Sequence, residues 1–347
     1  MTIRIGIKKV GTGQPCFIVA EAGVNHNGKL LLAKKLVDAA KTAGADAVKF
    51  QTFRSEKLVS ARAPKAQYQK KNSKSESQLE MIKKLELSFE AFARLSDYCR
   101  RKGILFLSTP FDEESADLLD SLGVPAFKIG SGEITNLPLL RQVARKKKPV
   151  ILSTGMSTLA EVKVAVSVLR AAGCRELILL QCVSNYPADV RDINLRAMKT
   201  MKEAFRVPVG FSDHTLGIEI SLAAAALEAC VIEKHLTLDR KMKGPDHAAS
   251  LEEEEFACLV NGVRNIEKAL GDGRKKPSRH EADTAVAVRK SLVAAKDIAK
   301  GRRLTNELVI IQRPGNGMKP ATLKKVLGKK LKRNIKAGSM FAPGMFK

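Results

Sequence analysis

Short apolar runs rich in β-branched residues alternate with longer amphipathic segments along most of the chain. This alternation is typical of βαβ units and a parallel sheet. Eight repeats of this kind match a closed (β/α)₈ TIM barrel, which usually takes about 250 residues. The predicted strands are Phe17–Ala22, Ala47–Thr52, Leu105–Pro110, Ala126–Ser131, Val150–Gly155, Glu176–Cys182, Val207–Asp213 and Val231–Leu238.

The amphipathic segments between these runs predict the helices of the barrel. Apolar residues recur at helical spacing in Leu30–Ala43, Phe89–Lys102, Leu159–Ala172 and Gly217–Ala229. Glycines such as Gly103 follow several of these segments, where glycine commonly ends a helix. A last helical pattern, Leu251–Leu270, follows the eighth strand and completes the barrel.

The texture of the sequence changes after this helix. Residues 273–284 are polar and basic, with glycine, proline and serine, and we predict a linker there. From residue 285 short apolar runs alternate with turn residues. We therefore predict a catalytic barrel over residues 1–272 and a small, mostly β, module over residues 285–347.

The charge is uneven. The chain has a formal net charge of +25, and Gly273–Lys347 alone contains 20 Lys or Arg against 4 Asp or Glu. One interpretation is a surface for nucleic acid or acidic membranes. The other is a cationic exterior that attracts anionic substrates. The segment has Phe341 and Phe346 but no Tyr or Trp for stacking on bases, so we expect neither a nucleic acid nor a membrane partner.

No apolar stretch approaches the roughly 18 residues of a membrane helix. The first residues also lack the apolar core of a signal peptide. We expect a cytoplasmic protein by default.

Nearly every predicted strand ends in polar or reactive side chains. A barrel collects the carboxyl ends of its strands on one face, where barrel enzymes have their active sites. Simple polar loops explain one or two such endings, but not eight. The residues concerned include Glu21, Lys49, Gln51, Thr109, Lys128, Ser131, Glu133, Ser153, Ser184, Tyr186, Ser212, His214, Glu233 and His235.

Two lysines among these residues indicate an anion site. Lys49 and Lys128 supply positive charge, and Gly130-Ser131-Gly132 allows backbone N–H groups to approach a phosphate or carboxylate. Hydroxyl donors at the same face are Thr109, Ser131, Ser153 and Ser212.

Two histidines end the last two strands. His214 and His235 should therefore face each other, and strand alternation places Glu233 on the same face as His235. Imidazoles with nearby carboxylates suit a divalent metal such as manganese. The residues alone leave a second interpretation open, in which both are hydrogen-bonded core histidines.

The motifs together resemble the N-acetylneuraminate synthase family. The resemblance covers nearly the whole chain in order, and the last module, with Arg313-Pro314-Gly315-Asn316-Gly317, is similar to the SAF (antifreeze-like) domain of that family. The segments that carry the resemblance start at Val19 (VAEAGVNHNG), Val48 (VKFQT), Ser108 (STPF), Lys128 (KIGSGE), Leu152 (LSTGM), Gly210 (GFSDHT), Glu233 (EKH) and Gly244 (GPD).

The resemblance implies a reaction and a set of roles. The enzyme would condense phosphoenolpyruvate with an N-acyl amino sugar and release phosphate. His214 and His235 would hold the metal: manganese, magnesium or cobalt. Phosphoenolpyruvate would be held by Lys49, Thr109, Lys128, Ser131, Ser153, Ser184 and Ser212, and the sugar by Gln51, Asn72, Glu133, Tyr186 and Asp246.

The resemblance also implies a catalytic carboxylate and an assembly. The attacking water would be positioned by the metal or by a carboxylate such as Glu21 or Glu133. Arg313 matches an arginine that reaches the active site of the partner subunit, which implies a domain-swapped homodimer. The acceptor stays open among N-acetylmannosamine, its 6-phosphate and diacetamido-trideoxyhexoses. Gln181 departs from the histidine that many members have before the cysteine of the sixth strand.

Two other functions fit part of the sequence. A Schiff-base aldolase or lyase on the same barrel would use Lys49, Lys128 or Lys234 as its nucleophile. A polyanion-binding protein would use the basic C-terminal segment. Finally, the long basic loop Val59–Gln78 is typical of an active-site cover.

Overall fold

The computed structural model describes residues 1–64 and 77–347 of the chain. They divide into two units, Met1–Gly271 and Asp272–Lys347. Asn72 and most of the predicted cover loop lie outside the described residues. Within the described ranges, no helix is both long enough and apolar enough to cross a membrane.

The first unit contains the predicted barrel. Its eight parallel strands are hydrogen bonded in the order β5-β4-β3-β10-β9-β8-β7-β6, and the end strands β5 and β6 lie beside each other, so the ring is nearly closed. The prediction of a TIM barrel is confirmed. The strands are β3 (Phe17–Gly23), β4 (Ala47–Thr52), β5 (Leu105–Pro110), β6 (Phe127–Ile129), β7 (Val150–Ser153), β8 (Leu177–Cys182), β9 (Val209–Asp213) and β10 (Val231–His235).

Five strands, β6 to β10, are shorter than predicted, and local structure explains where β6 and β10 end. β6 ends at Ile129 because Ser131–Glu133 forms a 3₁₀ turn that directs the chain toward the next helix. β10 ends at His235, after which Leu236 makes a single bridge with Leu251.

Helices cover the outside of this ring. Phe89–Lys102 has the predicted bounds: Ser88 caps its first turn by accepting a hydrogen bond from Ala91 N, and Gly103 ends it in the left-handed conformation, at φ 67°. The helices of the unit are Leu30–Thr42, Ser55–Leu58, Gln78–Lys83, Phe89–Lys102, Glu113–Ser121, Leu137–Arg145, Leu159–Ala171, Ala197–Phe205, Glu219–Ala226 and Glu253–Leu270.

Alternation along each strand separates two faces. In β10, Val231 belongs to the cluster inside the barrel, whereas Ile232 belongs to the larger core between the strands and the helices. The same parity places Glu233 and His235 inside. The inner face therefore changes from apolar side chains at the amino ends of the strands to polar ones at the carboxyl ends.

A hairpin that the sequence pattern did not predict precedes the barrel. β1 (Thr2–Ile5) and β2 (Lys8–Gly11) pair antiparallel, and their buried Ile3, Ile5 and Val10 pack with the apolar interior residues of the barrel. The amino-terminal end of the barrel is thereby filled, and the carboxyl end holds the polar residues.

The second unit is small and has its own apolar core. β11 (Ser291–Ala294) and β12 (Val309–Gln312) pair antiparallel. Helical turns at Arg279–Glu281 and Ala282–Val288 lie in and just after the segment predicted as a linker, and a short helix spans Leu323–Val326. The core includes Leu292, Ala294, Ile298, Leu304, Leu308, Val326, Leu331, Ile335, Phe341 and Phe346.

Candidate active site

The carboxyl end of the barrel holds two buried lysines on neighbouring sides of one carboxylate. Lys49 Nζ lies 2.7 Å from Glu21 Oε2 and donates a hydrogen bond of 3.2 Å to Thr109 Oγ1. Lys128 Nζ donates to Ser153 Oγ at 2.7 Å. Five predicted residues thus form two connected groups: Lys49 with Glu21 and Thr109, from β4, β3 and β5, and Lys128 with Ser153, from β6 and β7.

Glu233 joins the two lysines. Its Oε2 lies 3.7 Å from Lys49 Nζ, and its Oε1 lies 3.5 Å from Lys128 Nζ. Ser212 Oγ donates a hydrogen bond of 3.0 Å to the same Oε1. The structure therefore places a carboxylate at the centre of the predicted anion site, where the sequence supplied only its parity with His235.

Burial and charge act on these groups in opposite directions. Burial lowers the pKa of Lys128, and the charge of Glu233 offsets this only in part, so its pKa lies below that of an ordinary lysine. Burial also acts to lower the pKa of Lys49, but Glu21 and Glu233 outweigh it and the pKa is raised. Lys128 is the lysine that loses its proton more readily.

The two glutamates also differ. Burial raises the pKa of Glu21, with a further rise from the charge of Glu233. Burial acts in the same sense on Glu233, but Lys128 and Lys49 outweigh it and its pKa lies below the ordinary value. Environments that move two carboxyl pKa values apart suit one permanent charge and one group that exchanges protons. Glu21, whose pKa is raised, is the carboxyl group suited to exchanging protons.

Ser131 and Ser184 meet at a glycine. Gly155 N donates a hydrogen bond of 2.9 Å to Ser131 Oγ. A Cβ atom on Gly155 would lie 2.8 Å from Ser131 Oγ and 2.3 Å from Ser184 Oγ, so the glycine makes room for both hydroxyls. Hydroxyl and N–H groups of this kind suit an anion.

The two predicted metal ligands lie side by side. The rings of His214 and His235 are 5.3 Å apart between centroids, and that of Tyr186 is 4.1 Å from His214 and 5.3 Å from His235. His214 Nδ1 lies 2.7 Å from Val183 O, which leaves Nε2 for another partner. His235 Nδ1 is buried and has no hydrogen-bond partner among the residues that the structure describes. The core-histidine interpretation leaves this nitrogen unexplained.

Cys182 adjoins this pair and was not predicted. Its Sγ lies 3.8 Å from His214 Nδ1. Burial opposes ionisation of both groups, but each stabilises the charged form of the other: the pKa of Cys182 is lowered and that of His214 is raised. Cys182 ends β8 and points to the inside of the barrel, and this position was the sequence signal that could have identified it as a site residue.

Asp246 and Gln51 border the histidines on another side. Asp246 Oδ2 lies 4.0 Å from His235 Nδ1, and burial together with the charge of Glu21 raises the pKa of Asp246 to about 7. Gln51 Nε2 donates a hydrogen bond of 3.1 Å to Glu21 Oε1. The backbone of Asp246 is held by Ser250, whose hydroxyl donates to its carbonyl at 2.7 Å.

Glu133 and Lys234 bond to residues outside this cluster, and Arg313 belongs to the second unit. Glu133, half-buried in the turn after β6, accepts a hydrogen bond of 2.7 Å from Asn136 Nδ2, and burial raises its pKa. Arg313 is in the second unit, where its Nε donates to Val288 O at 3.0 Å. Lys234 is on the outer face of β10, where its Nζ lies 2.8 Å from Asp213 Oδ2. A Schiff base on Lys234 is therefore excluded by its direction.

Comparison with known proteins gives two family matches. The NeuB family matches residues 36–275, which is more than half of the chain, and the SAF domain matches residues 289–347. The chain is 50% identical over 339 residues to the N,N'-diacetyllegionaminic acid synthase of Legionella pneumophila, covering 96% of this chain and 95% of the relative. It is 51% identical to the enzyme of that name from Campylobacter jejuni, covering 92% and 96%.

A solved structure agrees with the sequence matches. The N-acetylneuraminic acid (sialic acid) synthetase of Leptospira borgpetersenii, in complex with citrate, superposes with a TM-score of 0.73 at 38% identity. The match covers 82% of this chain and 95% of that one.

Proposed function

We propose, because this chain belongs to the NeuB family, that it condenses phosphoenolpyruvate with an N-acyl amino sugar to form a nine-carbon sugar acid and phosphate. One observation carries the proposal: Lys49 and Lys128, bonded to hydroxyls from neighbouring strands, lie at the same carboxyl end of the barrel as the adjacent rings of His214 and His235. An anion and a carbonyl compound can thus be held next to each other.

The two imidazoles fit a divalent cation such as Mn²⁺, Mg²⁺ or Co²⁺. His235 Nδ1 is a buried polar atom without a hydrogen-bond partner in the described part of the chain, and the bond from Nδ1 of His214 to Val183 leaves Nε2 of His214 for a cation. No group of three or more His, Cys, Asp or Glu side chains in the described ranges is arranged to hold a metal. A cation bound by two imidazoles would keep its other positions for oxygen atoms of water and substrates. When bound, it would supply Lewis-acid polarisation of the sugar aldehyde.

The residues of the chain account for the other parts of the reaction. Lys49 and Lys128, with Thr109, Ser153 and Ser212, bind the phosphate and carboxylate of phosphoenolpyruvate and hold its C3 against the aldehyde carbon. A C–C bond forms from the enol π electrons while the C=O π bond of the aldehyde breaks, so that the aldehyde oxygen takes up a proton and becomes a hydroxyl, and C2 of phosphoenolpyruvate becomes electron-deficient. The charges that develop are stabilised by groups already in place.

A water molecule then completes the sequence. Glu21, whose pKa is raised by burial, takes the proton of a water that adds to C2. The tetrahedral carbon loses phosphate by cleavage of its C–O bond, which leaves the keto acid. Glu133 is the second candidate for positioning this water, from the neighbouring turn.

Gln51, Tyr186 and Asp246 border the histidines and are proposed to bind the amino sugar. Asn72 is proposed for the same role from outside the described residues. The two relatives at 50% and 51% identity are N,N'-diacetyllegionaminic acid synthases, so we propose a diacetamido-trideoxyhexose as the acceptor.

Arg313 completes the proposal from the second unit. As in the family it resembles, it is proposed to enter the active site of the partner subunit, in a domain-swapped homodimer.

The test is phosphate release from phosphoenolpyruvate with a panel of acceptors: a 2,4-diacetamido-2,4,6-trideoxyhexose, N-acetylmannosamine and its 6-phosphate. Each is assayed with added Mn²⁺ and after chelation, and the product is identified by mass. Metal-dependent phosphate release coupled to a nine-carbon acid supports the proposal. Full activity after chelation, with covalent trapping of a keto acid by borohydride on Lys49 or Lys128, would instead identify a Schiff-base enzyme.

A further inference from the structure

A separate apolar cluster covers one side of the barrel mouth. Its buried members are Val24, Phe53, Val59, Met81, Ile82 and Leu85, with Leu58, Ala63, Leu79 and Phe111 packed against them. They come from the segments after β3, β4 and β5, and we call them the mouth cluster. Their side chains are distinct from the core that joins the strands to the helices.

The mouth cluster has an opening toward the reaction centre. A cavity of about 380 Å³ is bordered by this cluster at one end and by Gln51, Tyr186 and Asp246 at the other. The ring of Tyr186 lies against that of His214 in a tilted arrangement, and the carboxylate of Asp246 lies next to His235. A sugar whose aldehyde reaches the histidines therefore extends its far carbons among apolar side chains.

The described lining of this cavity is mostly apolar and carries no positive charge. Among the described residues that line it, no side chain is a lysine or arginine, and Asp246 is the only carboxylate. Against this described lining, a phosphate group would lose hydration without gaining a counter-charge, which is strongly unfavourable. Methyl groups would instead gain from burial. Ser60, in the same lining, offers a hydroxyl that suits an acetamido group.

We infer that the mouth cluster determines acceptor specificity: it receives the deoxygenated, acylated end of a diacetamido-trideoxyhexose and rejects N-acetylmannosamine 6-phosphate. Met81 and Phe111 are the specificity-determining side chains, because both line the cavity and belong to the cluster. The inference rests on the proposed function and specifies the substrate class of the same site. It assigns recognition of the far end of the sugar to apolar contact rather than to charge.

The reaction centre and the mouth cluster are tested by separate measurements. For the wild-type protein we expect kcat/KM for a 2,4-diacetamido-2,4,6-trideoxyhexose to exceed that for N-acetylmannosamine by roughly 10²-fold, the usual limit for an apolar pocket that rejects hydroxyl groups. The 6-phosphate should be a poorer acceptor still. The KM for phosphoenolpyruvate, measured at saturating acceptor, reports on the lysines and should not depend on the acceptor used.

A variant that gains activity with a new acceptor cannot be explained by misfolding, whereas a loss of activity can. Met81→Lys places an ammonium group in the cavity, so kcat/KM for the 6-phosphate should rise at least about tenfold while that for the diacetamido sugar falls. Met81→Leu, which nearly conserves volume and polarity, is the matched control and should keep the wild-type order.

Several results would overturn the inference. Among them are a wild-type preference for the 6-phosphate, an equal response of Met81→Lys and Met81→Leu to all acceptors, and loss of activity in Met81→Lys without any change in the order of acceptors. Phosphate release with N-acetylmannosamine alone would overturn the inference and leave the proposed function standing. Absence of phosphate release with every acceptor would overturn both.

Discussion

The ammonium group of Lys234 lies 2.8 Å from the carboxylate of Asp213, and both side chains are completely excluded from solvent. The pair lies on the outer face of the barrel, where Ser221 and Thr215 also bond to Asp213. His235, the next residue along β10, points to the opposite face and borders the reaction centre. One peptide bond thus separates a structural ion pair from a candidate metal ligand.

Removing one partner of this pair should destabilise the protein without altering the site. Lys234→Met leaves the Asp213 carboxylate buried and unpaired, and we expect a loss of about 3–5 kcal/mol in the free energy of unfolding, measured with urea. The folded fraction should keep its KM for phosphoenolpyruvate. Lys202→Met, which breaks an exposed pair with Glu228, is the control and should show no measurable change. A loss of phosphoenolpyruvate binding at unchanged stability would contradict the placement of Lys234.

The glycine between the two serines makes a sharp test of the anion site. In Gly155→Ala, the added Cβ displaces the hydroxyls of Ser131 and Ser184, so the KM for phosphoenolpyruvate should rise roughly 10- to 100-fold. Gly344→Ala is the control, since nothing lies within 4 Å of its Cβ position and it is outside the anion site, and steady-state kinetics should show less than about a twofold change. Equal effects of the two substitutions would argue against a role for these hydroxyls.

The histidine pair is tested by metal binding as well as by rate. His214→Ala and His235→Ala should each abolish detectable Mn²⁺ binding in titration calorimetry and lower kcat on the order of 10³-fold, while circular dichroism shows an intact fold. His280→Ala removes an exposed histidine of the second unit and should change neither measurement. Near-normal rates in both site variants would refute the metal assignment.

The lowered pKa of Lys128 predicts an alkaline limit to substrate binding. A lysine is cationic below its pKa, so Lys128 loses its charge at a pH below the ordinary value of about 10.4, and the KM for phosphoenolpyruvate should rise there. Lys128→Arg stays charged to higher pH, and the same rise should then move upward, whatever the effect on kcat. The pH profile of kcat/KM checks this. Identical alkaline limbs in the two proteins would assign the limit to another group.

Arg313 provides a test of the proposed assembly. Arg313→Ala and Lys49→Met should each be nearly inactive alone, because one lacks the arginine and the other lacks the lysine. If the arginine acts on the partner's site, co-expression of the two variants produces mixed dimers with one complete site, and activity should return to about a quarter of wild type for random pairing. Arg333→Ala, an exposed arginine of the same unit, should be active alone. Failure of the mixture to recover activity would contradict the domain-swapped arrangement.

Local pattern was sufficient for much of this protein. The bounds of β4 and β5 and of the helix Phe89–Lys102 agree with those predicted from the sequence alone. The periodicity of apolar side chains, the helix-capping residues and the glycines that end helices all act over a few residues. They therefore predict the bounds of helices and strands without knowledge of the tertiary structure. The alternation of side chains along the last strand of the barrel also indicated that Glu233 and His235 share a face. This placed one carboxylate beside the candidate metal ligands.

Closure of the barrel decided which of these side chains come into contact. Only the tertiary structure places Glu233 between Lys49 and Lys128, because the three side chains come from strands far apart in the chain. The mouth cluster joins residues as distant as Val24 and Phe111, and the hairpin of β1 and β2 fills the opposite end of the barrel. Distance between such residues depends on long-range packing, which a local period does not encode. The sequence determined which side chains face inward, and the fold decided which of them meet.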